Sequence, residues 1–157
     1  MIKKQNIKKQ LELYFITNGI KYTYVNKIVK NISIPTYILK LRIFGTETKK
    51  VENEISVEIQ IFHSAYSIFF EVPNIYQIAR EKYCTIFKKI NLLNRYSLPG
   101  KYIINDNNYI CYRYIWNYQN YEQLDERIIK NIIDSIIPAY YLCLRKIEKK
   151  KENMIYE

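Results

Sequence analysis

The chain has 157 residues, of which 48% are hydrophobic and 25% charged, the balance of an ordinary globular protein. Three glycines and four prolines are too few for long flexible linkers, so we expect a single domain over residues 1–157. The net charge of +10 is typical of a nucleic-acid-binding protein, but an AT-rich genome would also supply many lysines, since Ile, Lys, Asn and Tyr, all with A/T-rich codons, are abundant; composition leaves both alternatives open.

The N-terminus is basic but has neither the apolar segment nor the cleavage site of a secretory signal, and no apolar run is long enough to span a membrane. We therefore expect a cytoplasmic location. The three cysteines, Cys84, Cys111 and Cys143, are widely spaced, which argues against a disulfide framework or a zinc site. They are expected to be reduced, mostly buried thiols.

A helix is the first predicted element. Its apolar residues recur at helical spacing and Asn18-Gly19 supplies a stop; they are Ile7, Leu11, Tyr14 and Phe15. From Ile20 to Val72 the apolar period changes to two, which indicates strands with one buried face. The predicted strands cover residues 20–29, 36–44, 54–62 and 66–72, with a hairpin turn over residues 45–50 and a short break at Ser64-Ala65.

Pro73-Asn74 is predicted to open a second helix that runs to Asn94, because proline is tolerated in a first helical turn. Two further strands follow at residues 101–105 and 109–118. They are joined by residues 106–108, whose types tolerate the left-handed conformation of tight loops. This loop length places Ile104 opposite Ile110 and Ile103 opposite Cys111.

The last helix is predicted to start near Asn120, where Gln123 would help to cap it. Apolar residues cover a broad face of this helix from Leu124 to Ile137, so we expect it to be well buried. Pro138 is expected to kink it or split it in two. The resulting order, α-β-β-β-β-α-β-β-α, implies an α+β fold: a mostly antiparallel sheet with helices packed on one face.

The strand at residues 109–118 is rich in aromatic residues, and its two faces differ. Alternation places Tyr112, Tyr114, Trp116 and Tyr118 on one face with Ile110. Such a row beside an arginine suits either a stacking platform for single-stranded nucleic acid or a hydrophobic core. The strand pattern alone leaves both alternatives open.

The second half of the chain resembles the YbjN family of bacterial proteins, also described as sensory transduction regulators, over roughly residues 70–147. The residues that carry the resemblance keep the order and spacing of that family; they are Val72-Pro73, Leu93-Asn94, Leu98-Pro99-Gly100, Asp106, the alternating strand after it and the long helix that follows. The resemblance implies the fold of type III secretion chaperones and a non-enzymatic regulator or chaperone-like protein that binds a protein partner, including a homodimer.

The resemblance also implies which face of the hairpin meets the helices, namely that of Tyr102, Ile104, Ile110, Tyr112, Tyr114 and Trp116. The opposite face is usually polar in the family, but here it carries Ile103, Tyr109, Cys111 and Ile115. These four residues are our candidate face for a partner or a second copy. The alternative is that this face is only locally apolar, or is covered by the N-terminal part of the same chain.

Nucleic-acid binding is a less favoured alternative and rests on the distribution of charge. Residues 1–50 hold 11 Lys/Arg against 2 Asp/Glu, whereas residues 51–144 hold 9 against 10. The candidate phosphate contacts are therefore in the N-terminal third: Lys3, Lys4, Lys8, Lys9, Lys21, Lys27 and Lys30. A third alternative is a toxin-immunity protein, which no particular residue favours.

Catalytic motifs are not evident in the sequence. His63 is the only histidine, and no acid or cysteine is spaced to form a relay with it. Glu52, Glu54 and Glu58 lie on one strand face, as expected for the solvent side of a half-buried strand. Glycine-rich phosphate-binding loops are absent. We expect neither an enzyme, nor a metal site, nor a cofactor.

Overall fold

Six antiparallel strands form one sheet in the computed structural model, in the order β1-β2-β3-β4-β6-β5. The structure describes residues 2–44, 51–96, 98–118 and 124–147; the side chains of residues 2–6, 43–44 and 51–53 lie outside the described set. The strands are β1 (Tyr22–Val29), β2 (Ile32–Phe44), β3 (Val51–Phe62), β4 (Ser67–Gln77), β5 (Lys101–Ile104) and β6 (Tyr109–Asn117). The helices are α1 (Ile2–Thr17), α2 (Tyr83–Leu93) and α3 (Glu126–Ile147).

The predicted α+β class and the order α-β-β-β-β-α-β-β-α are confirmed. The break between β3 and β4 is a short 3-10 turn, His63–Ala65. The predicted turn at residues 45–50 lies outside the described residues. The helices pack on one face of the sheet, which we call the inner face and which carries Tyr37, Val57, Ile59, Phe70 and Tyr112. The opposite face, which carries Lys27, Thr36, Glu58, Phe69 and Ile115, is the outer face.

Helix α1 buries the stripe that the sequence predicts and ends where expected. Leu11 and Phe15 are fully buried in the core. The Asn18 side chain donates to the Tyr14 carbonyl at 2.8 Å, and Gly19 takes the left-handed φ of +64° that turns the chain toward β1. The Lys8 and Lys9 side chains point away from this stripe and are exposed.

The predicted helix start at Pro73-Asn74 is wrong, because these residues form a bulge in β4. Val72 pairs with Tyr112 and Tyr76 with Ile110, so residues 73–75 lie opposite the single residue Cys111. Proline cannot donate a ladder hydrogen bond, and Asn74 has a φ of +54°, so both fit a bulge. The strand then resumes, and after the 3-10 turn Arg80–Lys82 helix α2 begins at Tyr83.

The predicted start of the last helix near Asn120 is also wrong. Leu124 and Asp125 are not helical, and α3 begins at Glu126. The Asp125 carboxylate accepts a hydrogen bond from the Ile128 backbone N–H at 2.8 Å, so Asp125 is the N-terminal cap. The predicted capping residue, Gln123, lies outside the described residues.

Pro138 does not split α3, which is continuous from Glu126 to Ile147. The proline ring is on the exposed side of the helix, while Ile136 and Ala139 on either side of it are fully buried. The burial of Ile136 offsets the backbone hydrogen bond lost at the proline, because a fully buried isoleucine contributes about 1.5–3 kcal/mol. The Ala139 carbonyl also accepts a hydrogen bond from the buried Tyr102 hydroxyl.

The aromatic side of β6 is hydrophobic core. Tyr112 is fully buried, Trp116 and Tyr118 are nearly so, and Tyr114 is half-buried against the same cluster. The rings of Tyr102 and Tyr112 meet across the hairpin at 5.1 Å between centroids. Buried rings cannot stack on bases, so the nucleic-acid alternative for this strand face is removed.

Candidate functional site

The four residues of the candidate face lie on the outer face, but they do not form one exposed surface. The hairpin pairing is as predicted, with Ile104 opposite Ile110 and Ile103 opposite Cys111. Ile103 and Tyr109 are half-buried, Cys111 is fully buried, and Ile115 is 47% exposed. Ile115 lies four residues along β6 from Cys111, about 13 Å away at ordinary strand spacing.

The bulge in β4 is the reason that Cys111 is inaccessible. The Asn105 amide nitrogen lies 3.5 Å from the Cys111 sulfur and 3.3 Å from the Asn74 side-chain oxygen. The two asparagines thus meet beside the sulfur, and burial raises the pKa of the Cys111 thiol. Cys111 is therefore a structural residue and not part of an accessible interface.

Ile115 belongs instead to an apolar patch with two phenylalanines, Phe62 and Phe69. Neither was among the site residues predicted from the sequence. In the register Ile115 lies opposite Phe69, and the rings of Phe69 and Phe62 are 4.5 Å apart between centroids. We call these three residues the apolar patch. Phe62 could have been found from the sequence, because it follows Glu54, Ser56, Glu58 and Gln60 at alternate positions on the polar side of β3.

An ion pair borders the apolar patch along β4 and β6. The Arg113 guanidinium donates to the Glu71 carboxylate at 2.7 Å, and its carbon lies 5.0 Å from the centre of the Phe69 ring. Arginine is thus held in place by a carboxylate and stacked beside an aromatic ring, a combination of salt bridge and cation–π contact. The patch has apolar side chains at its centre and a charged pair at its edge.

A second ion pair crosses the outer face and engages one of the candidate lysines. Lys27 of β1 lies 2.8 Å from Glu58 of β3, so the pair spans β2. The β2 residues between them, Ile34 and Thr36, are buried although they are on the outer face. The lysine stem covers apolar surface while its ammonium reaches the carboxylate, and Lys27 is not free to bind a phosphate.

The remaining candidate lysines do not converge on one surface. Lys8 lies 3.9 Å from Glu12 and its ammonium is 4.2 Å from the centre of the Tyr24 ring, on the helix side of the sheet. Lys21 and Lys30 flank opposite ends of β1, roughly 30 Å apart at strand spacing. Lys9 is exposed on α1, whereas the side chains of Lys3 and Lys4 lie outside the described set.

Candidate metal ligands are not grouped in the described parts of the chain. Within them no group of three or more His, Cys, Asp or Glu side chains is arranged to hold a metal ion. Glu54 and Glu58 face Lys40 and Lys27 at 3.3 and 2.8 Å, so these two carboxylates act as partners of cations on the outer face. Among the described helices, none has the length and hydropathy needed to cross a bilayer.

Several buried hydroxyls belong to the inner core and are held by internal partners. The Tyr37 hydroxyl donates to Glu12 at 2.7 Å, and burial followed by this hydrogen bond raises the pKa of Tyr37 far above its usual range. Burial likewise raises the pKa of Tyr102. These phenols remain protonated at physiological pH and tie the helices to the sheet.

Comparisons of the chain with family models, with curated proteins and with solved structures found no match. Membership of the YbjN family therefore stays a prediction that rests on residues 70–147.

Proposed function

We propose that this protein is a non-enzymatic, chaperone-like binding module that holds a partner protein on the outer face of its sheet. The observation that carries the proposal is the apolar patch of Phe62, Phe69 and Ile115. Its members come from three adjacent strands, and they lie on the side of the sheet opposite to the helices. YbjN-like regulation in a bacterial cytoplasm is the cellular setting that the resemblance favours.

The composition of the patch suits protein recognition. Interface centres are enriched in aromatic residues and arginine and depleted of unpaired charge, and a polar rim surrounds them. Phe62, Phe69 and Ile115 supply the apolar centre, and the Arg113–Glu71 pair supplies the rim. The pair also keeps Arg113 extended beside Phe69, so less side-chain entropy is lost when a partner binds.

The charge of the outer face also favours a protein over a nucleic acid. Three ion pairs among its described side chains, Lys27–Glu58, Lys40–Glu54 and Arg113–Glu71, are internally neutral. A phosphate backbone requires several unpaired cations along one groove. The candidate lysines of the N-terminal third whose side chains the structure describes are dispersed around β1 and α1, so they do not line one such groove.

A photo-crosslinking residue at Asn117 tests the proposal in the native cell. Asn117 is exposed on the outer face, two residues from Ile115. We expect one discrete protein adduct that persists after nuclease treatment, and an adduct of twice the chain mass would identify the partner as a second copy. Ile115→Glu should abolish the adduct, because a carboxylate would have to be buried without a partner.

The matched control is Arg127→Glu, a charge change on an exposed residue of α3. It should leave the adduct unchanged. An adduct that survives Ile115→Glu, or one that disappears equally in both variants, would contradict binding at the apolar patch. Adducts that disappear with nuclease would favour the nucleic-acid alternative.

Sedimentation separates a homodimer from a hetero-complex. If the partner is a second copy, the purified protein should sediment as a dimer, and Ile115→Glu should give a monomer of unchanged thermal stability, because Ile115 is exposed. A monomeric parent protein that still forms the cellular adduct would indicate a different protein as partner.

A further inference from the structure

A cleft of about 590 Å³ lies at the β1 edge of the sheet, beside the first residues of that strand. Strand β1 starts at Tyr22, which pairs with Leu39, whereas β2 continues to Phe44. Before Tyr22 the chain turns away at Asn18-Gly19 into α1. The end of β2 therefore extends past β1, and the cleft occupies the space beside it.

The floor of this cleft is apolar and comes from three separate elements. Ile20 precedes β1, Leu41 is in β2, and Ile133 and Ile137 are successive turns of α3. Leu41 and Ile133 are buried, whereas Ile20 and Ile137 are half-buried. Three of these four residues lie in a strand or a helix, and the volume lies within the range of small-molecule sites, about 300–1,000 Å³.

The rim of the cleft is cationic. Its charged side chains are Lys21, Lys40, Arg42 and Glu54, three cations against one carboxylate. Glu54 lies 3.3 Å from the Lys40 ammonium, and in the β2–β3 register it is opposite Arg42. Lys21 forms no ion pair with any described side chain. The lining thus carries a net positive charge of two above an apolar floor.

We propose that this cleft binds a small amphipathic anion, an apolar chain or ring that carries one carboxylate. The apolar body would lie on Ile20, Leu41 and Ile137, and the carboxylate would meet Lys21 and Arg42 at the rim. A neutral molecule would use the floor but leave the cations without a counter-ion, and an inorganic anion would not use the floor. The inference goes beyond the proposed function and does not depend on the apolar patch.

Titration calorimetry of the full chain with dodecanoate, below its critical micelle concentration, tests the inference. We expect saturable binding with one site per chain, which weakens as ionic strength rises because the rim charges are exposed to solvent. Dodecanol should bind at least about tenfold more weakly, since about 1.4 kcal/mol of charge pairing corresponds to a tenfold change in affinity. Inorganic phosphate alone should show no binding.

Two variants separate the cleft from non-specific attraction. Lys21→Glu with Arg42→Glu should weaken dodecanoate binding by more than about tenfold. Lys9→Glu with Lys88→Glu makes the same change in net charge at exposed residues that do not line the cleft, and should leave the affinity within about twofold. Equal losses in both double variants, or no saturable binding to the parent protein, would overturn the proposal.

Thr23→Trp provides a test without a charge change. Thr23 lines the cleft and is exposed on β1, so tryptophan should be tolerated by the strand while it fills the entrance. We expect this variant to keep the parent melting temperature and to lose dodecanoate binding. Undiminished affinity in the folded variant would place the ligand elsewhere and contradict the assignment.

Discussion

The backbone N–H of Gly100 donates a hydrogen bond to the Tyr112 hydroxyl at 2.8 Å, in the buried interior of the β5–β6 hairpin. A Cβ atom at residue 100 would lie 2.8 Å from Cζ of Tyr112 and 2.5 Å from the backbone oxygen of Arg113. Glycine is therefore required at position 100, because the backbone there passes too close to the Tyr112 ring to leave room for a Cβ atom. Its neighbour Pro99 leads directly into this contact.

Gly100→Ala should destabilise the protein by about 2 kcal/mol, because the added methyl group meets backbone that cannot move without disturbing β6. The free energy of unfolding in urea measures the effect. The comparison is Gly19→Ala, where a Cβ meets nothing within 4 Å but φ is +64°. That variant should cost about 1 kcal/mol from backbone strain alone. A Gly100→Ala variant as stable as the parent protein would contradict the close packing.

The Lys27–Glu58 pair should show a coupling free energy of about 0.5–1 kcal/mol in a double-mutant cycle with alanine. The two side chains are 36% and 17% exposed, so water screens the pair only in part. The coupling should decrease in high salt. Lys130 and Asp134 on α3, 61% and 56% exposed, form the control pair and should show a smaller coupling. Equal coupling free energies for the two pairs would contradict the prediction that the partly buried pair across β2 is the stronger one.

Alkaline pH should destabilise the fold through its buried tyrosines. Burial raises the pKa of Tyr37 and Tyr102 in the folded state, whereas tyrosines in the unfolded chain titrate near 10. Their stabilising contribution is complete below pH 10. As pH rises above 10, the unfolded state loses its phenolic protons first, and the free energy of unfolding decreases.

The size of this effect is up to about 1.4 kcal/mol per pH unit for each such tyrosine. Melting temperature between pH 8 and 11 measures it, and Tyr37→Phe should give a shallower decline above pH 10. Replacing Tyr83, which is exposed, by phenylalanine should leave the slope unchanged. If Tyr37→Phe followed the parent curve, the buried Tyr37 hydroxyl would not contribute to the alkaline transition.

Thiol reactivity should distinguish Cys84 from the other two cysteines. Cys84 is exposed, whereas Cys111 and Cys143 are buried, and burial raises the pKa of Cys111. With a disulfide reagent at neutral pH, we expect one thiol to react rapidly and two at least about tenfold more slowly. Cys84→Ser should remove the fast phase, and denaturant should expose every thiol. Rapid reaction of Cys111 in the native Cys84→Ser variant would contradict the cover that Asn74 and Asn105 provide.

Local patterns were sufficient for most of the fold. Alternation along β2, β3 and β6 predicts which side chains share a face of the sheet, because successive residues of a strand must point to opposite sides. The loop of residues 106–108 predicts the pairing of Ile104 with Ile110, since a short loop leaves few registers. Helix α1 could also be predicted from the sequence, because its apolar stripe and its stop at Gly19 are close in sequence.

Two predicted helix starts were wrong, and the split that was one of the two outcomes predicted for Pro138 does not occur. Tertiary contacts are the shared reason. Pro73-Asn74 suits either a helix start or a bulge, and the pairing of β4 with distant β6 selects the bulge. Pro138 would end an isolated helix, but α3 stays continuous because Ile136 and Ala139 are buried against the sheet. The start of α3 depends on where the chain leaves β6. The residue pattern around Asn120 does not specify that position.

The sequence by itself determined the fold class and which side chains share a strand face, since periodicity is a local property. That the face of Tyr112 and Trp116 is core was shown only by the helices packed against it. Tertiary structure decided the candidate site. It buried Cys111 under the β4 bulge, joined Ile115 to Phe69 and Phe62, and engaged Lys27 with Glu58 across β2. The contacts of Cys111 and Ile115 with β4 depend on the register between β4 and β6, which are distant in sequence, and no local pattern specifies that register. Lys27 reaches Glu58 because β2 lies between β1 and β3 in the sheet.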